Sequence, residues 1–296
     1  MNTIRMPRSQ KFFNTIGYIY ITLIALLCLL PFWLILVGSF SKESDIIANG
    51  YSLWPLHWSL GAYQAVFMFP GVIIRAYGIT ILVTVCGTAF GLFFISMAGF
   101  VLSRRDFRYR NAVSFFIYFT TLFSGGLIPW YLMVTNVLHM KDTLFALIVP
   151  GLMNCFLIIL MKSFLKSVPE EIAESAKIDG AGDFRIYISL VMPLAKPALA
   201  TIGLFLALDY WNNWFFSSIF ITNQHNYSLQ YVLYSILQSA KFYQTMSKIA
   251  VPIGFHMPLE TIKLATAVIA TGPVILFYPF VQKYFVQGLT IGAVKG

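Results

Sequence analysis

The sequence predicts an all-α polytopic membrane protein with six transmembrane helices, and three observations lead there. Hydrophobic residues make up 58% of the 296 and charged residues 10%, against roughly 25% charged in an ordinary soluble domain. Charge-poor apolar runs, long enough for a bilayer that takes about 20 helical residues, recur at about 16–38, 76–102, 112–137, 143–162, 197–222 and 264–283. Finally, 14 of the 20 basic residues fall in alternate connections: Arg5, Arg8 and Lys11, then Arg104, Arg105, Arg108 and Arg110, then five from Lys162 to Lys196, then Lys283 and Lys295. The positive-inside rule puts those connections and both termini in the cytoplasm.

Residues 1–15 read as a short cytoplasmic N-terminus. Their basic residues precede an apolar run, as in a signal peptide, but the run from Phe12 to Phe40 is too long and no small-x-small cleavage site follows, so it reads as an uncleaved first span. Segment 41–74 then lies outside. In its "YSLWPLHWSLGAYQ", Trp54, Trp58 and Tyr63 suit the headgroup region where aromatic rings partition, with stacking on a substrate as their other use. Cys28, Cys86 and Cys155 fall inside spans without C-x-x-C spacing and read as apolar fillers, not as a disulfide framework. His57, His139, His225 and His256 are isolated, so no metal site is expected. The net charge of +9 is spread over span flanks and forms no nucleic-acid surface. In the third span "SGGLIP" (Ser124–Pro129) predicts either a kink or a re-entrant turn, the latter tolerated where it faces protein or a water-filled cavity.

The cytoplasmic connection 163–196 holds five of the 11 acidic residues: Glu170, Glu171, Glu174, Asp179 and Asp183. Ser167-Val-Pro-Glu170 fits a capping box, Pro169 is tolerated in a first turn, and the glutamates oppose the helix dipole. The helix so begun carries Ile172, Ala173 and Ala176 and stops at "DGAG" (Asp179–Gly182), where glycine enters the left-handed region without a clash. Asp183 is placed to cap a second short helix with Phe184, Ile188 and Val191 at i, i+4 and i+7. Pro193 and Pro197 then turn the chain into the fifth span. Two short apolar-faced helices on a glycine turn need a surface to bury against: a partner protein, or the membrane and neighbouring spans.

The fifth span contains Asp209, an intramembrane acid and hence a functional candidate. Asn212, Asn213 and Phe216 follow at i+3, i+4 and i+7, which on a continuous helix is one face, with Trp211 beside them. Carboxylate, amides and flat rings suit a sugar, and the same face could instead pair with another subunit. Segment 223–262 lies outside, with mild positive bias from Lys241 and Lys248. Residues 284–296 form a cytoplasmic tail whose small residues could thread a narrow interface.

"ESAKIDGAGDFRIYISLVMPLAKP" resembles the cytoplasmic loop of ABC importer permeases. Glu174, Ser175 and Ala176 match its opening triplet, Gly180 its glycine, and Leu190, Met192 and Pro193 its ending, with Ser175, Leu190 and Met192 as near-isosteric departures. "TLFSGGLIPWYL", "LDYWNNWFFSSIF", "MPLETIKLATAVIATGPVILFYPFVQKYF" and "VQGLTIGAVKG" extend the resemblance over almost the entire chain, to the MalG-like carbohydrate-uptake branch of the LplC/YtcP type. The resemblance implies an ABC type I importer permease fold in the bacterial cytoplasmic (inner) membrane, with 76–283 as the core transmembrane domain. It implies a heterodimer with a second homologous permease, two ATP-binding subunits, an extracytoplasmic solute-binding protein and an oligosaccharide substrate. Uronate oligosaccharides are among the substrates of similar importers. Loop 163–196 would dock as a coupling helix on an ATPase through Glu174, Ser175, Ala176, Asp179 and Gly180, with Ala173 and Phe184. Gly292, Lys295 and Gly296 would reach between the ATPases.

The chain has no G-x-x-x-x-G-K-[ST] and no Gly-Lys pair, so it lacks a phosphate-cradling loop. ATP and Mg are expected on the partners, no cofactor on this chain, and no enzymatic activity in it alone. Two other classes fit less well. An ion-driven secondary transporter calls for inverted repeats and paired midplane charges, and a membrane enzyme would give Asp209 a catalytic partner at its depth.

Overall fold

The computed structural model describes residues 8–249 and 258–293, and among them every regular element is helical. In chain order the helices begin with α1 (Arg8–Ser39), α2 (Glu43–Asn49), α3 (Gly61–Val66), α4 (Pro70–Ser103) and α5 (Arg110–Leu122). Next come α6 (Leu127–Leu132), α7 (Phe145–Ile148), α8 (Cys155–Leu165), α9 (Glu171–Ile178) and α10 (Asp183–Ile186). The last five are α11 (Met192–Leu194), α12 (Lys196–Asn212), α13 (Phe215–Phe220), α14 (Leu229–Ile249) and α15 (Leu259–Ala293). They fall into two compact units, one of the chain to Phe69 with Ile236–Thr271, the other of Pro70–Ser235 with Gly272 onward.

Three helices are long and apolar enough to cross a membrane unbroken: Phe12–Ser39, Pro70–Ser103 and Leu259–Leu276. Three more spans arise if bent pairs count as one, Arg110–Leu122 with Leu127–Val137 (115°), Phe145–Gly151 with Cys155–Leu165 (47°), and Asp183–Leu194 with Lys196–Asn212 (86°). The expected runs 112–137 and 143–162 are therefore not continuous helices, and 197–222 is interrupted between α12 and α13. The first breaks where expected, with Gly126 at φ +88° and its N–H donating to the Ser124 hydroxyl (3.2 Å). The two halves meet at 115°, a break in the helix compatible with either a broken span or a re-entrant turn. The second breaks before Asn154, whose side chain caps α8 by accepting from the Leu157 N–H (3.3 Å). Two regions to which the sequence reading assigned no helix are helical: α14 occupies much of 223–262, and α15 continues through 284–293. Isolated glycines such as Gly288 cost a helix about 1 kcal/mol relative to alanine and do not stop it.

In the first unit, α1 exposes apolar side chains from Phe12 to Trp33 on all sides, as a helix solvated by lipid does. Past its end, Ser41 bridges to Trp58. Tyr63 stacks on Phe40 (4.9 Å) and shares a 2.8 Å hydrogen bond with Ser39. It is thus a packing residue here, whereas Trp54 and Trp58 remain exposed. Glu43 caps α15 across more than 200 residues of sequence, its carboxylate accepting from the N–H groups of Glu260 (2.9 Å) and Thr261 (2.8 Å) and from the Thr261 hydroxyl (2.8 Å).

In the second unit, α4 is the spine. Its buried residues include Thr80, Val83, Gly87, Gly91, Ile95 and Gly99, three or four apart, which is one face of a helix. Glycine lets partners approach closely, as small residues do at helix interfaces in membranes. A Cβ on Gly87 would lie 2.5 Å from the Tyr210 ring of α12, and one on Gly99 would lie 2.7 Å from Met161 of α8. Tyr210 is 3% exposed and donates to the Ile148 carbonyl (2.8 Å). Further along, Asp142, itself at φ +61°, accepts from the N–H groups of Thr222 (3.0 Å) and Asn223 (2.9 Å), tying the turn before α7 to the end of α13.

Gly87→Ala is expected to lower stability by about 1–3 kcal/mol through overpacking, seen as a lower melting temperature in detergent. Gly203→Ala, whose Cβ would meet Leu92 at an ordinary 3.9 Å, serves as the neutral control. Glu43→Ala should cost about 0.5–2 kcal/mol, the usual value of an N-terminal cap, and speed hydrogen exchange at the Glu260 and Thr261 amides.

Candidate functional site

The acidic connection forms helix, turn, helix, but its ends are built differently from expectation. No capping box forms: the Ser167 hydroxyl donates back to the Phe164 carbonyl (2.6 Å), and Glu170, with helical dihedrals, makes no cap hydrogen bond. Glu170 instead pairs with Arg105 (2.9 Å), a full ion pair being available from the neighbouring connection. Asp183 does not cap α10 either; Gly182 holds that position, and Asp183 in the first turn accepts from Arg104 (2.6 Å). The turn is as expected. Gly180 sits at φ +80°, and a Cβ there would meet no described atom within 4 Å.

The faces also differ from a simple reading. Ala176 is buried and Ala173 packs on the same core cluster, so their small size lets α9 lie close on the chain's own helices. Glu174, Ser175, Asp179 and Gly180 are exposed. In α10 the expected stripe of Phe184, Ile188 and Val191 splits: Phe184 and Ile188 are exposed while Val191 is buried together with Ile186 and Tyr187. The cause is a π-helical stretch, Tyr187–Val191, whose wider turn takes an extra residue and shifts the i+7 position off the face. Ile178 (88% exposed), Phe184 (58%) and Ile188 (50%) are left as apolar side chains without cover. Among the described residues Glu171, Glu174 and Asp179 form no ion pair.

The short connection between α4 and α5 supplies a group that sequence reading treated only as topology charge. Arg104, its side chain 15% exposed, pairs with both Asp106 and Asp183 and lies 5.5 Å from the Phe100 ring. Asp106 also takes Lys177 (2.7 Å). These two cations, Arg104 first, hold the Asp106 carboxyl well below the usual carboxylate range, and the carboxylates hold the Arg104 guanidinium firmly protonated. Beside them, a groove of about 440 Å³ is lined by residues that include Arg104, Arg110, Lys166, Glu170 and Glu174. The mixed charge of "SRRDFRYR" was the available signal.

The candidate substrate residues do not share one face. Helix α12 ends at Asn212, and Asn213 leaves helical geometry at ψ 98°. Its side chain accepts from the Phe216 N–H (2.9 Å), capping α13. Trp211 is buried with its ring 6.4 Å from Tyr77, and Phe216 packs on Trp130 (5.3 Å). Asp209 and Asn212 are exposed on α12, the latter donating to the Leu208 carbonyl (2.9 Å). Among the described residues no group of histidine, cysteine or acidic side chains could hold a metal ion. Gly292 falls in the last turn of α15, and Lys295 and Gly296 lie outside the described residues.

A glycine-packed bundle of unbroken and broken apolar helices, carrying a helix–turn–helix with an uncovered apolar tip, is the build of an importer permease. The family of binding-protein-dependent transport system inner membrane components matches residues 91–291, and the chain belongs to that family, in its carbohydrate-uptake branch. It is 38% identical over 288 residues to the polygalacturonan/rhamnogalacturonan transport system permease protein YtcP of Bacillus subtilis (strain 168), covering 97% of this chain and 99% of that one. Protein LplC of the same organism is 36% identical, over 100% and 99% of the two chains. A crystal structure of a bacterial ABC transporter involved in the import of the acidic polysaccharide alginate superposes with a TM-score of 0.76 at 30% identity, over 96% of this chain and 100% of that one. The fold is accordingly that of an ABC type I permease.

A carboxylate whose pKa is depressed in the folded chain contributes stability above its unfolded value of about 4 and loses it as pH falls through the folded value. The melting-temperature difference between wild type and Asp106→Asn should therefore be present at neutral pH and vanish in strong acid.

Proposed function

We propose that this chain is one of two transmembrane subunits of an ATP-driven importer, carrying an oligosaccharide handed over by an extracytoplasmic binding protein. In this reading the chain crosses the inner membrane six times, and both termini are cytoplasmic. A second, homologous permease completes the path, and ATP with Mg is bound and hydrolysed on two partner subunits. The α9–α10 segment docks on one of them as the coupling helix.

The observation that carries this reading is the uncovered set Ile178, Phe184 and Ile188 around the open turn at Gly180. Burying apolar side chains of this size is worth about 1.5–3 kcal/mol each, and α9 and α10 have already committed their other face to the chain's own core. The exposed Glu174 supplies a carboxylate for charged or backbone donors in the docking groove. The C-terminal residues Gly292, Lys295 and Gly296 are further candidates for contact with the ATPases.

The substrate class is read from the relatives. One is named for polygalacturonan and rhamnogalacturonan transport, and a solved neighbour for import of an acidic polysaccharide. We assign an oligosaccharide bearing uronate carboxylates, with the exposed Asp209 and Asn212 as path-lining candidates for sugar hydroxyls. Asn213, Trp211 and Phe216 would shape the same region from behind. Arg75, the one charged residue in α4, is exposed and could meet a carboxylate.

Reconstituted with its partner permease and ATPases, the chain should support ATP hydrolysis stimulated by loaded binding protein, and alone it should hydrolyse none. Phe184→Glu should reduce that stimulation about tenfold or more, the scale of losing one buried apolar contact, without changing the melting temperature of the isolated chain. Normal stimulation in this variant would overturn the docking assignment. Uptake that persists on an ion gradient in ATP-depleted vesicles would favour a secondary transporter.

A further inference from the structure

The coupling segment is joined to α12 through Ala195, where the chain turns by 86°, and a single residue at such a turn is a poor lever arm. Its non-covalent attachments lead elsewhere. Tyr187, 4% exposed, shares a 2.7 Å hydrogen bond with Ser96 of α4. The same ring meets Phe100 of α4, with centroids 5.5 Å apart. Arg104, one residue past α4, bonds Asp183 at the start of α10 (2.6 Å). Ser96, Phe100 and Arg104 stand at i, i+4 and i+8, a single stripe along the last turns of α4. The connection then reaches both ends of α9, through Arg105 to Glu170 (2.9 Å) and through Asp106 to Lys177 (2.7 Å).

Isolated surface ion pairs contribute little, but this set has the features that make pairs count. Arg104 engages two carboxylates with a planar fork, its side chain is largely covered, and Asp106 bridges it to a second cation. The grip starts from a buried neutral hydrogen bond, whose groups would be costly to leave unmade in a membrane protein's interior. Four points, at Glu170, Lys177, Asp183 and Tyr187, fix a segment of 18 residues to one helix end.

We propose that the end of α4 with residues 104–106 is a clasp that makes the coupling segment and α4 move as one body, with Arg104 as its positioning residue. Movement of a docked segment then enters the core through α4, whose glycine face carries it to α12 and α8. Arg104 touches neither substrate nor nucleotide and acts through α9 and α10. The transport part of this inference rests on the proposed function; the mechanical part does not.

Two measurements decide it. In the full chain in lipid nanodiscs, with Cys28, Cys86 and Cys155 changed to serine, spin labels at Val101→Cys and Ile178→Cys report the separation of α4 from the tip of α9. Arg104→Gln should at least double the width of the distance distribution, and Arg104→Lys should restore much of it. In the reconstituted complex, Arg104→Gln should raise the ATP hydrolysed per sugar imported by about fivefold or more, the low end of typical coupling energies, while the hydrolysis rate itself is held. An unchanged width overturns the clasp. A doubled width with unchanged stoichiometry overturns the positioning role and leaves a brace. A wild-type complex that neither imports nor hydrolyses would count against the transporter reading, and the spin-label result would still decide the clasp.

Discussion

The Tyr210 hydroxyl bonded to the Ile148 carbonyl holds the core of the larger unit together. The carbonyl sits where α7 gives way to a 3-10 turn, Val149–Gly151, so a helix has been interrupted among apolar side chains. An unpaired backbone group in hydrocarbon costs several kcal/mol, and at this break α12 supplies the carbonyl with a side-chain donor. That donor reaches it through Gly87 on one side and Gly151 on the other, each too close to the phenol to accept a Cβ without displacement. Close helix packing and a polar partner at the break thus meet in one contact.

The same requirement explains the other interruptions. At three of them a short polar side chain replaces the lost backbone partner locally, Ser124 before α6, Asn154 before α8 and Asn213 between α12 and α13, and Asp142 serves the end of α13 from 80 residues away. Asparagine, aspartate and serine do this because their oxygens reach N–H groups two or three residues away. Asn213 shows why such residues are ambiguous. In a continuous helix it would line a polar face with Asp209; in the folded chain it is consumed as a cap, and the face is reduced to Asp209 and Asn212.

The α9–α10 segment has two characters at once. Ala173, Ala176, Ile186, Tyr187 and Val191 bind it to its own chain, while Ile178, Phe184 and Ile188 face away with nothing over them. Its charges divide in the same manner: Glu170, Lys177 and Asp183 are spent on residues 104–106, and Glu171, Glu174 and Asp179 remain outward. A surface so divided is firmly held from behind and open in front, which is what transmitting a push from a docked partner demands.

Composition, apolar runs and charge placement determined by themselves that this is a helical membrane protein, where its unbroken spans lie, and that the 163–196 connection forms helix, glycine turn and helix. These are local or summed properties: a run of about 20 apolar residues or a glycine that must take φ +80° needs no knowledge of its neighbours. Only the tertiary structure decided which caps form, which alanines face inward, and that Glu43 closes the start of α15. Ser167 and Asp183 had the right types and spacing for capping, yet Ser167 bonded backward and Asp183 found Arg104, 79 residues away. A side chain with two possible partners follows the one that packing brings within 3 Å, and the π-helical turn at Tyr187–Val191, which shifts Val191 off the exposed face, appears only in the folded chain.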